Sequence, residues 1–249
     1  MNSFSTVGTI ARRELLAYFN STVAYVFIVI FLLLAATFTF YLGGFLRLGE
    51  ASLSKSFFIW HPWLYLFLVP AIGMRLWAEE QRMGTMELLL TMPVEPWQAI
   101  IGKFIASWVV LAISLALTFP LVLTVNYLGR ADNGVIICSY LGSLLMAGAY
   151  LAIASATSAS TRNQVVSFII AVVICLVLAL IGIEPAIQVY TGWFPTNQAL
   201  VSAIASLSMV THFQNFQRGV IDSRDIIYFV SLIGFSLFLT GVIIRHHRA

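Results

Sequence analysis

The sequence predicts an all-α integral membrane protein. It has six transmembrane helices, an N-terminal amphipathic helix at the membrane surface, a short cytoplasmic helix between spans 2 and 3, and re-entrant or interfacial helices before span 6. Two observations carry this. Of the 249 residues, 60% are hydrophobic and only 9% charged, against roughly 25% charged in a soluble domain. The few charges also cluster, leaving long uncharged stretches between them. One compact core cannot hide that much apolar surface. The composition therefore excludes a soluble enzyme, a nucleic-acid-binding module and a disordered tail. At a net charge of +3, the basic residues read as topology signals rather than as a footprint for nucleic acid.

The elements follow in chain order. Phe4, Val7, Ala11, Leu15 and Tyr18 recur at helical spacing beside Arg12 and Arg13, which suits a helix lying on the inner leaflet. The apolar run after Arg13 is too long for a signal h-region and lacks an A-x-A cleavage pattern, so the segment reads as retained. Spans are predicted at about 22–46, 56–74, 104–128, 135–159, 164–183 and 226–244, within a single membrane domain covering 1–249. His61, followed by Pro62, is a polar residue at the start of span 2, and Asn126 is read as an inter-helix hydrogen-bond partner. Pro70 and Pro120 free backbone carbonyls in spans 2 and 3 and predict kinks there. Gly148, Ala152, Ala156 and Ser160 repeat every fourth residue in span 4, a pattern that lets helix backbones approach closely. Cys138 and Cys175 form no C-x-x-C pair and read as buried, inert thiols.

The stretch 185–217 is uncharged but carries Pro185, Pro195, Gln188, Asn197, His212 and Asn215. A lipid-facing helix does not tolerate that set. The external segment 184–225 is therefore read as re-entrant or interfacial, with Tyr190, Trp193, Phe194, Phe213 and Phe216 at headgroup depth. With both termini cytoplasmic, eight basic residues (Arg12, Arg13, Arg75, Arg82, Lys103, Arg162, Arg245, Arg248) lie inside and five outside. A seven-span alternative gives the same count, so the polarity of 185–217 decides for six.

Absences narrow the chemistry. The predicted spans hold no Asp, Glu, Lys or Arg, which argues against an ion-coupled secondary carrier. No G-x-x-x-x-G-K-[ST] loop is present, so the chain has no nucleotide site of its own, and no catalytic, cofactor or metal residues are assigned. Glu79–Glu80 resembles a protease carboxylate pair, but His61 and His212 lie toward the opposite side.

The loop 75–103 carries the densest signal. A helix leaving span 2 bears Arg75, Glu79, Glu80 and Arg82 and is broken by Gly84. Thr85 is a plausible N-cap, with Glu87 in the first turn of a short helix, Met86–Met92, that Pro93 stops. Glu95 and Pro96 start the helix that runs through Lys103 into span 3. A short, half-apolar helix held off the membrane suits either insertion into a partner's groove or the membrane surface.

These residues resemble the loop between spans 2 and 3 of type-2 ABC transporter permeases, matched at Glu80, Gly84, Thr85, Glu87, Leu88, Leu89 and Pro93. Trp60-His61-Pro62-Trp63, Met74 to Glu80 and Asn163-Gln164-Val165 are most similar to the gliding-motility-type subgroup. The resemblance implies that Glu79 to Pro93 form a coupling helix docking into a separate ATP-binding subunit, which binds the ATP and Mg, the permease itself holding no cofactor. It places Arg12 and Arg13 on a connecting helix at the membrane surface. It also implies a second permease copy or paralogue, a translocation path between the two, and an auxiliary membrane-anchored subunit with an external domain. The expected function is the membrane subunit of a bacterial inner-membrane ABC exporter, a non-enzymatic transport component. A mechanotransmitting anchor and a secondary transporter are the alternatives.

Overall fold

The structure is a computed structural model and describes residues 3–48, 52–85, 95–193 and 198–246. Among them all regular structure is helical. Besides a π-helical turn at Phe38–Leu42 and a four-residue helix at Phe45–Leu48, the helices in chain order are α1 (Ser3–Asn20), α2 (Thr22–Thr37), α3 (His61–Gly73), α4 (Arg75–Met83), α5 (Pro96–Ala116) and α6 (Phe119–Leu128). They continue as α7 (Asn133–Ser160), α8 (Gln164–Leu180), α9 (Glu184–Trp193), α10 (Gln198–Ala205), α11 (Met209–Gln217) and α12 (Ser223–His246).

Four helical stretches among the described residues are long and apolar enough to cross a membrane: Thr22–Leu42, Pro96–Leu128, Asn133–Ser160 and Ser223–His246. The pair α8 and Glu184–Gly192, bent by 76°, makes a fifth if taken as one span. The stretch predicted as span 2 holds α3, 13 residues long with Pro70 inside it, after a 3₁₀ turn at Phe58–Trp60. The stretch predicted as span 3 is interrupted: α5 ends at Ala116 and α6 begins at Phe119, with Pro120 in its first turn, where its missing N–H costs no intrahelical bond. Helix ends carry their own caps. Asp132 accepts from Gly134 N and Val135 N at the start of α7, and Asn163 accepts from Val165 N at the start of α8.

The bundle is built around α7, whose buried residues after Gly142 are mostly small: Ser143, Ala147, Gly148, Ala149, Ala152, Ala154, Ser155, Ala156, Ser158 and Ala159. Side chains of that size let neighbouring backbones come close. A Cβ on Gly73 of α3 would stand 2.3 Å from Ala154 Cβ, and one on Gly142 would stand 2.5 Å from Phe216 Cγ. Gly148 faces Trp108 and Ile233, Ala152 is fully buried, Ala156 nearly so, and Ser160 is exposed at the helix end. Large side chains such as Phe31, Tyr65, Trp77 and Tyr150 are buried as well, while many other large apolar side chains point outward. Val26, Val29, Ile30 and Leu33 on α2, Ile169, Val173 and Val177 on α8, and Ile227, Val230 and Phe238 on α12 are all exposed. Close packing along the small face of α7 and a greasy perimeter at helical spacing suit a lipid surround.

At one end of the bundle, α9, α10 and α11 fill the polar segment before α12. Phe213 and Phe216 are buried here, because α11 packs inward and Phe216 covers Gly142 and Phe229. The side chains of Trp193 and Phe194 lie outside the described residues. Asp225 ties the segment down: its carboxylate lies 2.6 Å from His212 Nδ1 and accepts from Asn215 Nδ2 at 2.9 Å. Tyr228 stacks on His212 and donates to Leu207 O. His61 begins α3 and is fully buried, with Nδ1 2.7 Å from Ser143 Oγ. Asn126 bonds within its own helix and to Asn133, the first residue of α7. Cys175 is buried, whereas Cys138 is only half-buried beside Gly219 O.

Candidate functional site

At the opposite end of the bundle, α1, α4, α5 and the last turns of α7 converge. The chain breaks at Met74 between α3 and α4. Met74 has no side chain to cap the new helix. Ser158 of α7 does it from across the interface: its hydroxyl accepts from Trp77 N and Ala78 N at 3.0 Å each and donates to Met74 O at 2.8 Å. One serine thus satisfies two of the orphan donors of a helix start and one carbonyl of the preceding turn. Trp77, fully buried, donates Nε1 to Ser155 Oγ at 3.0 Å, and Gln81 Nε2 donates to Ala159 O at 2.7 Å. The helix ends where predicted, at Gly84, whose φ of +69° is the left-handed conformation that glycine adopts without steric cost.

Lys103 is the centre of the charge arrangement. It lies on α5 with a side chain only 8% exposed, its Nζ 2.8 Å from Glu80 Oε1 and 3.4 Å from Glu14 Oε2, and over the ring of Trp77. A buried ammonium must be paired, and these two carboxylates come from α4 and α1. Gly102, its neighbour, is where α1 crosses, since a Cβ there would meet Ile10 at 2.7 Å. Farther along, Ser107 donates to Lys103 O, which leaves the Tyr18 hydroxyl to donate to Ser107 Oγ at 2.9 Å. Burial pushes the Tyr18 phenol above its usual range, so it stays a neutral donor. The apolar stripe of α1 therefore has a protein partner, α5, along this crossing.

The predicted site residues divide by position. Glu80 turns inward to Lys103, and its Oε2 is buried without a hydrogen-bond partner among the described residues. Glu79 pairs with Arg75, which donates Nε and Nη2 at 3.0 and 3.1 Å. Arg82 and Gly84 are exposed at the tip, and Thr85 directs its N–H back to Glu80 O. Arg12 is exposed, and Arg13 meets Glu14 at 3.2 Å. Glu87, Leu88, Leu89 and Pro93, with the predicted helix 86–92, lie outside the described residues. After the gap, Glu95 is the extended N-cap residue of α5, Pro96 its first helical residue, and Trp97 Nε1 donates to Glu95.

Glu14, Lys103, Ser155 and Ser158 were not singled out from sequence as site residues. The signals were present: an acid directly after Arg12–Arg13, a lysine one residue before an uncharged run, and two serines three apart on the small-residue helix. No group of His, Cys, Asp and Glu among the described residues is arranged to hold a metal ion.

The profile of ABC-2 family transporter proteins matches residues 52–245, well over half of the chain, and includes α4, the 75–103 loop and Lys103. The chain belongs to the ABC-2 transporter family. No curated protein matches it. As an ABC-2 family member it is a multi-pass membrane permease subunit, a transport component rather than a nucleotide-binding domain, and its family implies an ABC ATP-binding partner. The helical bundle with its apolar perimeter agrees with that membership.

Proposed function

We propose that the chain is the membrane subunit of an ATP-driven exporter in a bacterial inner membrane. It crosses six times with both termini cytoplasmic, and it couples to its ATP-binding partner through residues 75–103. The observation that carries the coupling role is the Glu14–Lys103–Glu80 cluster. It joins α1, α4 and α5 through one buried ammonium, so a push on the tip of α4 reaches the start of α5 and the surface helix together. Ser158 and Ser155 anchor the same helix to α7, the central element of the bundle. The loop root is thereby a stiff lever, which is what transmission of ATP-binding-subunit closure needs.

The six crossings rest on counting α3 with its flanking turns and α8 as spans. The polar 184–217 helices then lie outside, as their composition favours. Two such subunits, identical or paralogous, form the path between them, and the exposed face of α2, α8 and α12 offers ample apolar surface for it. The gliding-motility-type subgroup, and with it an auxiliary subunit bearing an external domain, belongs to this reading through Trp60 to Trp63 and Met74 to Glu80.

The test is ATP hydrolysis in the assembled transporter. Glu80→Ala and Gly84→Pro are expected to leave the subunits associated while hydrolysis no longer responds to substrate. Substrate-dependent hydrolysis at the normal level in both variants would remove the coupling assignment.

A further inference from the structure

Two cavities adjoin where α1 turns into α2. The first, about 220 Å³, fills the corner between that turn and the α3–α4 junction, and Glu14, Tyr18, Ser21, Arg75 and Glu79 line it. The second, about 300 Å³, is a groove between α2 and α3, walled by Val26, Ile30, Leu68 and Ala71. Val23 and Ile72 line both, so the charged corner runs directly into the apolar groove. The corner lies where the backbone is extended at Ser21, between α1 and α2, and where α3 gives way to α4 at Met74.

The charges in the corner are not used up. Arg75 and Glu79 pair with each other yet remain 35% and 34% exposed. A guanidinium carries five donors, so Arg75 has donors beyond the two it gives to Glu79. Glu79 keeps lone pairs of its own, and Glu14, shared with Lys103 and Arg13, adds a second carboxylate. The polar wall thus offers one anion site and a cation site with two acids, at the mouth of a groove shaped for a hydrocarbon chain.

We propose that this cleft binds a membrane phospholipid whose headgroup carries a phosphate and a primary ammonium, with one acyl chain in the α2–α3 groove. The proposal rests on the permease reading, which sets this end of the bundle at the cytoplasmic leaflet. Phosphate oxygens accept from Arg75, and the ammonium donates to Glu79 and Glu14. A headgroup with a phosphate alone can accept from Arg75 but brings no donor to the open lone pairs of Glu79 and Glu14, and sets a further negative charge beside them. A trimethylated ammonium has no N–H to donate.

Native mass spectrometry of the purified permease with its ATP-binding subunit decides it, with equimolar phosphatidylethanolamine, phosphatidylglycerol and phosphatidylcholine added in detergent. Phosphatidylethanolamine is expected to be retained about tenfold over the other two, the scale of a charge-assisted hydrogen bond or more. Ala71→Phe, which fills the groove, is expected to abolish its retention. Glu79→Gln is expected to bring phosphatidylethanolamine and phosphatidylcholine to near equality. Equal retention of the three lipids by the wild type, or a phosphatidylethanolamine adduct that survives both substitutions, overturns the site. An error in the permease reading shows differently, as absence of the ATP-binding subunit from the same spectra.

Discussion

Lys103 holds two carboxylates that lie about four-fifths out of water, Glu14 at 19% and Glu80 at 18% exposure. Truncating one member of such a cluster leaves the others charged and unpaired, which costs more than the cluster contributes. Lys103→Met should therefore lower stability by about 2 kcal/mol, seen as an earlier thermal unfolding transition in detergent. The triple variant Lys103→Met, Glu14→Gln, Glu80→Gln should recover most of that loss, because no uncompensated charge remains. Equal destabilisation in the single and triple variants would mean that the cluster acts through packing alone. Ser158→Ala removes the cap of α4 and should cost about 1–2 kcal/mol, again read from thermal unfolding. These residues explain where sequence reading stopped. A lysine beside an uncharged run reads as a solvated flank, and nothing in the local pattern says that Glu14, 89 positions away, folds back onto it. Serines on a helix of small residues likewise read as packing, since a cap supplied across an interface leaves no mark within the capped segment.

At the scale of elements, what was legible was what is local. Gly84 ends α4 because a left-handed residue is required there, and Glu95–Pro96 begins α5 because proline suits a first helical turn. The polarity of 185–217 reads as something other than one continuous helix, and the segment holds three short helices, α9, α10 and α11. The burial of Phe213 and Phe216 was not legible, because aromatic residues in a polar segment look interfacial until Gly142 is seen to make room for one of them. The His212–Asp225–Asn215 network holds these helices to α12, and Asp225 is itself 2% exposed. His212→Ala should release them, measured as faster amide hydrogen exchange across 198–217 with little change in α7. Unchanged exchange in that segment would show that Phe213 and Phe216 hold it without the polar lock. Gly73→Leu should have the opposite reach: with Ala154 already at 2.3 Å from a bare Cβ, α3 must move off α7 and the whole bundle should lose stability.

On the whole-molecule scale, the bundle separates two kinds of work. The perimeter is apolar and answers to the lipid, whereas the charge is gathered at the ends, most densely where α1, α4 and α5 meet. Membership of the ABC-2 family implies an ABC ATP-binding partner, and in the proposed reading the cluster is the route by which that partner's motion reaches the spans. The predicted spans hold no Asp, Glu, Lys or Arg, but in the structure the membrane-length stretch Pro96–Leu128 includes buried Lys103 and Ser223–His246 includes buried Asp225. Under the proposed coupling role, the ATP-binding partner touches the chain at the exposed tip of α4. A photo-crosslinking residue at Met83, 62% exposed beside Gly84, tests this directly in the assembled transporter, with Tyr127, 91% exposed at the other end of the bundle, as the control. Illumination should join Met83 to the ATP-binding subunit and leave position 127 free of it. No adduct from position 83 while the two subunits co-purify, or an adduct with that subunit from position 127, would contradict the account.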